Sequence, residues 1–202
     1  MTTLAVLASM FGVALTGTSP IVSMRSRTDL PQVFAALGYR TGVEIGTWQG
    51  AYAEALCQGI PGLRLRCVDP WVSYKVYNDK KNNQARLDAA YRDTCRRLKP
   101  YACLIDRRTS MDAVRDVADG SVDFVYIDGN HGEAFVRADL DGWTPKVRPG
   151  GILAGHDYAE PKGTHKHLDV KVAVDRFTRE RGIDPWFVLA GDPSPSFLWV
   201  VT

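Results

Sequence analysis

Short apolar runs alternate with turns and amphipathic stretches along most of the chain. Residues 42–45, 65–68, 102–105, 122–127 and 151–154 are continuous enough in apolar side chains to predict buried strands. Residues 51–58, 134–143 and 170–181 carry helical patterning, and a short helix is predicted from Asp112. A longer insertion spans 70–100. Its second half repeats Leu87, Tyr91, Cys95 and Leu98 at helical spacing. Residues 186–189 and 197–201 form a closing strand pair around the turn Gly191-Asp192-Pro193-Ser194-Pro195. Apolar strands alternating with helices predict a parallel sheet covered on both faces. The closing connection is too short for a crossover, so one of its strands must run antiparallel. The expectation is an α/β, Rossmann-like, doubly wound fold. Its sheet is mostly parallel and seven-stranded, with one antiparallel strand near the C-terminus. One domain covers 1–202, with 1–38 a helical extension and 70–100 a substrate or lid insertion.

Composition changes this picture little. The 202 residues are 45% apolar and 24% charged, with a net charge of +2. That suits a globular domain and gives no electrostatic argument for nucleic acid. Cys57, Cys67, Cys95 and Cys103 show no C-x-x-C spacing and read as reduced thiols. The apolar stretch 4–15 has no basic residues before it and is too short to span a bilayer. It reads as a helix packed on the core, in a cytoplasmic protein without membrane contact. The same apolar helix leaves a homo-oligomer open.

The first strand runs into Glu44-Ile45-Gly46-Thr47-Trp48-Gln49-Gly50, and the second ends in Asp69. The spacing is E-x-G-x-x-x-G, not the G-x-G-x-x-G of dinucleotide sites. A Cβ-free turn at Gly46 admits a ligand close to the backbone, and Gly50 allows tight packing where a helix begins. An acid at the tip of the second strand can accept both hydroxyls of a ribose. Glu44, Gly46, Thr47, Gly50 and Asp69 are therefore candidate contacts for an adenosine-containing donor, S-adenosylmethionine. Two rival readings are a nicotinamide-dependent oxidoreductase and a non-catalytic S-adenosylmethionine or nucleotide-binding module. The missing dinucleotide spacing counts against the first.

The fourth strand ends in Asp128-Gly129-Asn130-His131 and the fifth in Gly155-His156-Asp157-Tyr158. Adjacent tips would bring two carboxylates and two imidazoles into one crevice, a mixed O/N donor set for Mg²⁺ or Mn²⁺. The plainer reading is that both aspartates cap the helices that follow. Thr109-Ser110-Met111-Asp112 stands where adenine would be held, or simply caps a helix. Trp48 and Trp71 belong either to the core or to the cofactor mouth. His165 and His167 lie in a loop with Lys162 and Lys166. The basic residues between 75 and 99 read as a solvated face or as the border of an entrance for an anionic substrate.

Several of these segments together carry a family resemblance. They are Val68-Asp69-Pro70-Trp71, the run 122–131, Asp139-Leu140, Trp143, Lys146-Val147-Arg148-Pro149-Gly150-Gly151, Gly155-His156-Asp157-Tyr158 and the run 170–177. The chain resembles the macrocin O-methyltransferase and cephalosporin-hydroxylase group of class I S-adenosylmethionine-dependent methyltransferases over residues 40–200. The resemblance implies that Asp128 and Asp157, with His156 as a weaker third, hold a divalent metal that binds substrate hydroxyls. It makes His131 the general base; Ser110, following the third strand, and Asp128, at the tip of the fourth, are further candidate cofactor contacts. A carboxylate is common at the position His156 occupies here. The implied reaction moves a methyl group to a hydroxyl of a small molecule, such as a sugar, a natural product or a catechol.

Overall fold

The computed structural model describes residues 1–73, 83–160 and 169–202. In β5 (Val122–Ile127) side chains alternate from Phe124 onward, past an irregularity between Val122 and Phe124. Phe124 and Tyr126 join one buried cluster, and Val125 and Ile127 join the other. That two-sided burial is what a parallel strand with helices on both faces requires. It extends to β2 (Thr41–Ile45), β3 (Arg64–Val68) and β6 (Val147–Gly155), while β4 (Cys103–Asp106) is an edge strand with Leu104 exposed; all pair in parallel.

The first cluster packs α1 (Thr3–Phe11), α2 (Leu30–Ala36) and α3 (Ala51–Gly59) on one face. The second packs α6 (Glu133–Trp143) and α7 (Val170–Arg181) on the other. The short α5 (Ser110–Ala113) follows β4. At the C-terminus, β8 (Ser196–Val200) runs antiparallel to both β6 and β7 (Trp186–Leu189). The predicted mostly parallel sheet with one antiparallel strand is thus present.

The sheet has eight strands rather than seven, in the order β1-β7-β8-β6-β5-β2-β3-β4. The additional strand is β1 (Ile21–Ser23), paired in parallel with β7. Residues 1–38 are therefore not a purely helical extension. Three residues are too few to show an alternation, so the pairing is decided by the exposed edge of β7.

The helical half of the insertion is α4 (Gln84–Leu98). Its buried stripe is Ala90, Thr94 and Leu98, offset from the predicted Leu87, Tyr91 and Cys95. Close approach decides this. Thr94 Oγ1 donates to the Trp48 carbonyl at 2.7 Å, and its methyl lies against Gly50 at the start of α3. The basic face of α4 is paired, Arg97 with Glu54 and Arg96 with Asp93. Its residues 75–82, and the His165/His167 loop, lie outside the described residues. The cysteines are free thiols; Cys57 and Cys103 approach to 3.4 Å. No helix among the described residues is long and apolar enough to cross a membrane.

Candidate active site

Strand order reverses between β2 and β5, and in such sheets ligands bind beyond the carboxyl ends at that point. Backbone bonds tie the tips together there. Gly46 N–H donates to Val68, Asp128 N–H to Ile45, and His156 N–H to Ile127, all at 2.8–2.9 Å. Gly46 has φ +86°, and a Cβ on it would lie 2.0 Å from the Asp128 carbonyl oxygen. Contact between two strand tips thus already requires a glycine here, and the same residue lines the cavity over those tips. Gly50 caps α3 in the left-handed conformation, at φ +74°.

A cavity of about 730 Å³ opens over this switch point. Its walls include Gly46, Trp48, Asp69, Ser110, Met111 and Phe135. Arg27, Asp128, His131, His156 and Asp157 line the same cavity. Of the candidate cofactor residues, Gly46, Asp69, Ser110 and Asp128 line the cavity. Glu44, Thr47 and Gly50 lie behind its wall, all buried.

Asp69 accepts the backbone N–H of Trp48 at 3.0 Å on one oxygen and of Trp71 at 2.8 Å on the other. Burial raises its pKa, and those two bonds offset the rise only in part. A carboxylate has about four acceptor positions, so two remain for a ligand. This fits a vicinal diol. Trp71 is core: it is fully buried and its indole N–H holds the Trp48 carbonyl at 2.8 Å. Thr109 caps α5, while Ser110 donates to Asp139 and accepts the Trp143 indole N–H. Ser110 is therefore satisfied within the protein although it lines the cavity.

Neither Asp128 nor Asp157 caps a helix; those positions belong to Gly132 and Asp169. Instead they face the histidines. His131 Nε2 lies 2.9 Å from Asp157 and 3.9 Å from Asp128. His156 Nδ1 lies 3.3 Å from Asp157 and 3.9 Å from Asp128. One ligand atom each from Asp128, His131 and Asp157 falls within 4.8 Å of the other two, an O/O/N set that suits a divalent ion. This cluster takes in His131, which the sequence reading gave to proton transfer, and leaves out His156, which it gave to the ion.

The electrostatics follow from these contacts. Burial alone would lower the His131 pKa, but hydrogen bonds and charge from Asp128 and Asp157 push it up to about 9. Burial would raise Asp157, but His131, His156 and Ser194 hold it well below the usual carboxylate range. Among the described residues, only Trp48, Trp71 and Asp157 are non-glycine with left-handed φ, at 52°, 44° and 59°. Such conformations cost on the order of 1–3 kcal/mol each. All three sit in the cavity wall or directly behind it.

Two residues were invisible to the sequence reading as site residues. Arg27 comes from the N-terminal segment and meets Asp128 at 3.2 Å. Asp139 lines the cavity from α6, 5% exposed, with its pKa raised by burial to about 6. No local motif marks Arg27, whereas Asp139 stood in the motif run without a role.

A family model described as a methyltransferase domain matches residues 43–158, more than half of the chain. The chain belongs to the methyltransferase-domain family. The matched span carries every strand tip that lines the cavity, and the class is the S-adenosylmethionine-dependent one that the sequence resembles. This methyltransferase is 31% identical over 129 residues to the uncharacterized protein y4gI of Sinorhizobium fredii. That match takes in 60% of this chain but only 13% of that much longer protein. Its fold is similar to a Bacillus cereus O-methyltransferase in complex with S-adenosylhomocysteine, with a TM-score of 0.60 and 16% identity. It is equally similar to the O-methyltransferase TomG of Streptomyces achromogenes, with a TM-score of 0.61 and 15% identity. Each alignment covers 99% of this chain and 89% of the other.

Proposed function

We propose that this methyltransferase transfers a methyl group from S-adenosylmethionine to a hydroxyl of a small molecule, assisted by a divalent ion such as Mg²⁺ or Mn²⁺. One observation carries the reading. Asp69, with acceptor positions to spare, and the Asp128–His131–Asp157 cluster line the same cavity.

The donor supplies a methyl on a sulfonium, already activated for displacement, so the protein's main contribution is placement. Asp69 would take the ribose hydroxyls, the Gly46 turn would run beneath the donor, and Met111 and Phe135 would flank its apolar part. A divalent ion at Asp128 and Asp157 lowers the pKa of a hydroxyl beside it. His131 would receive the proton, its ring pinned by Asp157 so that one nitrogen is committed to the carboxylate and the other is left for the substrate. With its pKa pushed up to about 9 it holds a proton at neutral pH while it serves the carboxylates as a cationic partner. It becomes a proton acceptor when another cation satisfies Asp128 and Asp157.

A second reading is favoured by the cluster geometry: His131 Nε2 is itself the third ligand of the ion. Calorimetry on wild type and His131→Gln separates the two. A base variant binds Mn²⁺ as the wild type does and loses turnover, and a ligand variant loses the ion. The donor assignment is tested by titrating S-adenosylhomocysteine and, separately, NADH. Binding of NADH without S-adenosylhomocysteine would overturn it.

A further inference from the structure

Arg27 is fixed in place by its backbone. It opens a short turn (Arg27–Asp29) that Ser26 and Asp29 close with a reciprocal capping box. Its N–H donates to Asp192 at 3.0 Å, and its carbonyl accepts the Tyr52 hydroxyl at 3.0 Å. The guanidinium then passes over the Tyr52 ring, 5.1 Å from its centroid, and enters the cavity beside Asp128. There it is used sparingly. It makes one hydrogen bond, of 3.2 Å, to Asp128. Arg108, by contrast, grips Asp106 with two nitrogens at 2.6 and 2.7 Å.

A guanidinium has five N–H donors in a planar fork. This one is a third exposed and the exposed part faces the cavity. If its task were only to balance Asp128, a bidentate pair would serve better. A pre-positioned cation with spare coplanar donors matches a carboxylate. Resting on the methyltransferase reading above, we propose that Arg27 recognises a carboxylate, so that the ligand seated beside His131 is anionic. That carboxylate can come from the acceptor, as an acid group near the reacting hydroxyl, or from the amino-acid end of the donor.

The test uses the full chain as wild type, Arg27→Gln and Arg27→Lys, with thermal melts to establish folding. In the first arm, calorimetry compares S-adenosylhomocysteine with 5′-methylthioadenosine, which lacks the amino-acid end. In the second, protein saturated with S-adenosylhomocysteine and Mg²⁺ is titrated with 3,4-dihydroxybenzoate and with catechol. A donor source weakens S-adenosylhomocysteine roughly 10- to 100-fold in Arg27→Gln and leaves methylthioadenosine unchanged. An acceptor source leaves both unchanged. The wild type then prefers the benzoate over catechol about tenfold or more, and Arg27→Gln loses that preference. Arg27→Lys keeps the charge but not the fork and should fall between; it stands in for Arg27→Gln should that variant fail to fold. Binding that depends on Arg27 in neither arm overturns the inference. Failure of S-adenosylhomocysteine to bind the wild type overturns the methyltransferase reading itself.

Discussion

Replacing Glu44 by Gln should change how stability depends on pH. Glu44 sits behind the Gly46 turn, 2% exposed, and its Oε2 finds no hydrogen-bond partner among the described residues. Neither does the hydroxyl of the neighbouring Thr47. Burial is the main cause that raises the Glu44 pKa from 4.5 to about 8. The charge of Arg27 lowers it, while those of Asp128 and Asp69 raise it further. Between those two values the folded protein holds a proton that the unfolded chain has released. Stability therefore falls as pH rises through this window, by about 1.4 kcal/mol per unit. Over the whole window the loss is on the order of 5 kcal/mol, a large share of the 5–15 kcal/mol typical of a domain. Gln is a neutral stand-in for the protonated acid and carries no such slope.

The assay is urea unfolding followed by tryptophan fluorescence, in ligand-free protein with chelator, at pH values from 4.5 to 8.5. The other titrating groups are common to both proteins and largely cancel in the difference. Variant and wild type should be close at pH 4.5, and the variant should gain steadily up to pH 8. A difference that stays flat across the range would refute the assignment of a buried, unpaired carboxyl to Glu44.

Asp69→Ala should weaken S-adenosylhomocysteine by roughly 1.5–3 kcal/mol per hydroxyl bond lost, read by calorimetry; unchanged affinity removes Asp69 from the donor site. Turnover should disappear in EDTA and return with Mg²⁺ or Mn²⁺, and full activity in excess chelator would exclude the ion. His131→Gln should retain its melting temperature and donor affinity while its single-turnover rate falls about 10²–10⁴-fold, and a near-normal rate would move proton transfer elsewhere, with His156 next to be tried. Gly46→Ala places a Cβ 2.0 Å from the Asp128 carbonyl, so its melting temperature should drop sharply even without ligand, and a wild-type melt would show that the tips can separate.

The sequence by itself determined the layered sheet, because a parallel strand buried on both faces needs an unbroken apolar run, and residues 122–127 can do little else. It also determined that the closing pair turns antiparallel, since the Gly191–Pro195 turn is too short for a crossover. The acids and histidines at strand ends were legible for a related reason. Chemistry at the end of an apolar run is conspicuous, and the fold places all such ends on one side.

Only the tertiary structure decided which of those groups meet. Both histidines face both carboxylates, and it is the Nε2 of His131, 2.9 Å from Asp157, that joins the two acids in one cluster. Gly46 was legible as a turn that must lack a Cβ, but only the fold shows that Asp128, more than eighty residues along the chain, packs against it. Arg27 and β1 were missed because each is defined by what it packs against, a strand tip and a strand edge. The stripe on α4 moved because a small Thr94 can approach Gly50 where larger apolar side chains cannot. Periodicity records what a segment can bury, and the neighbour's shape selects which face is used.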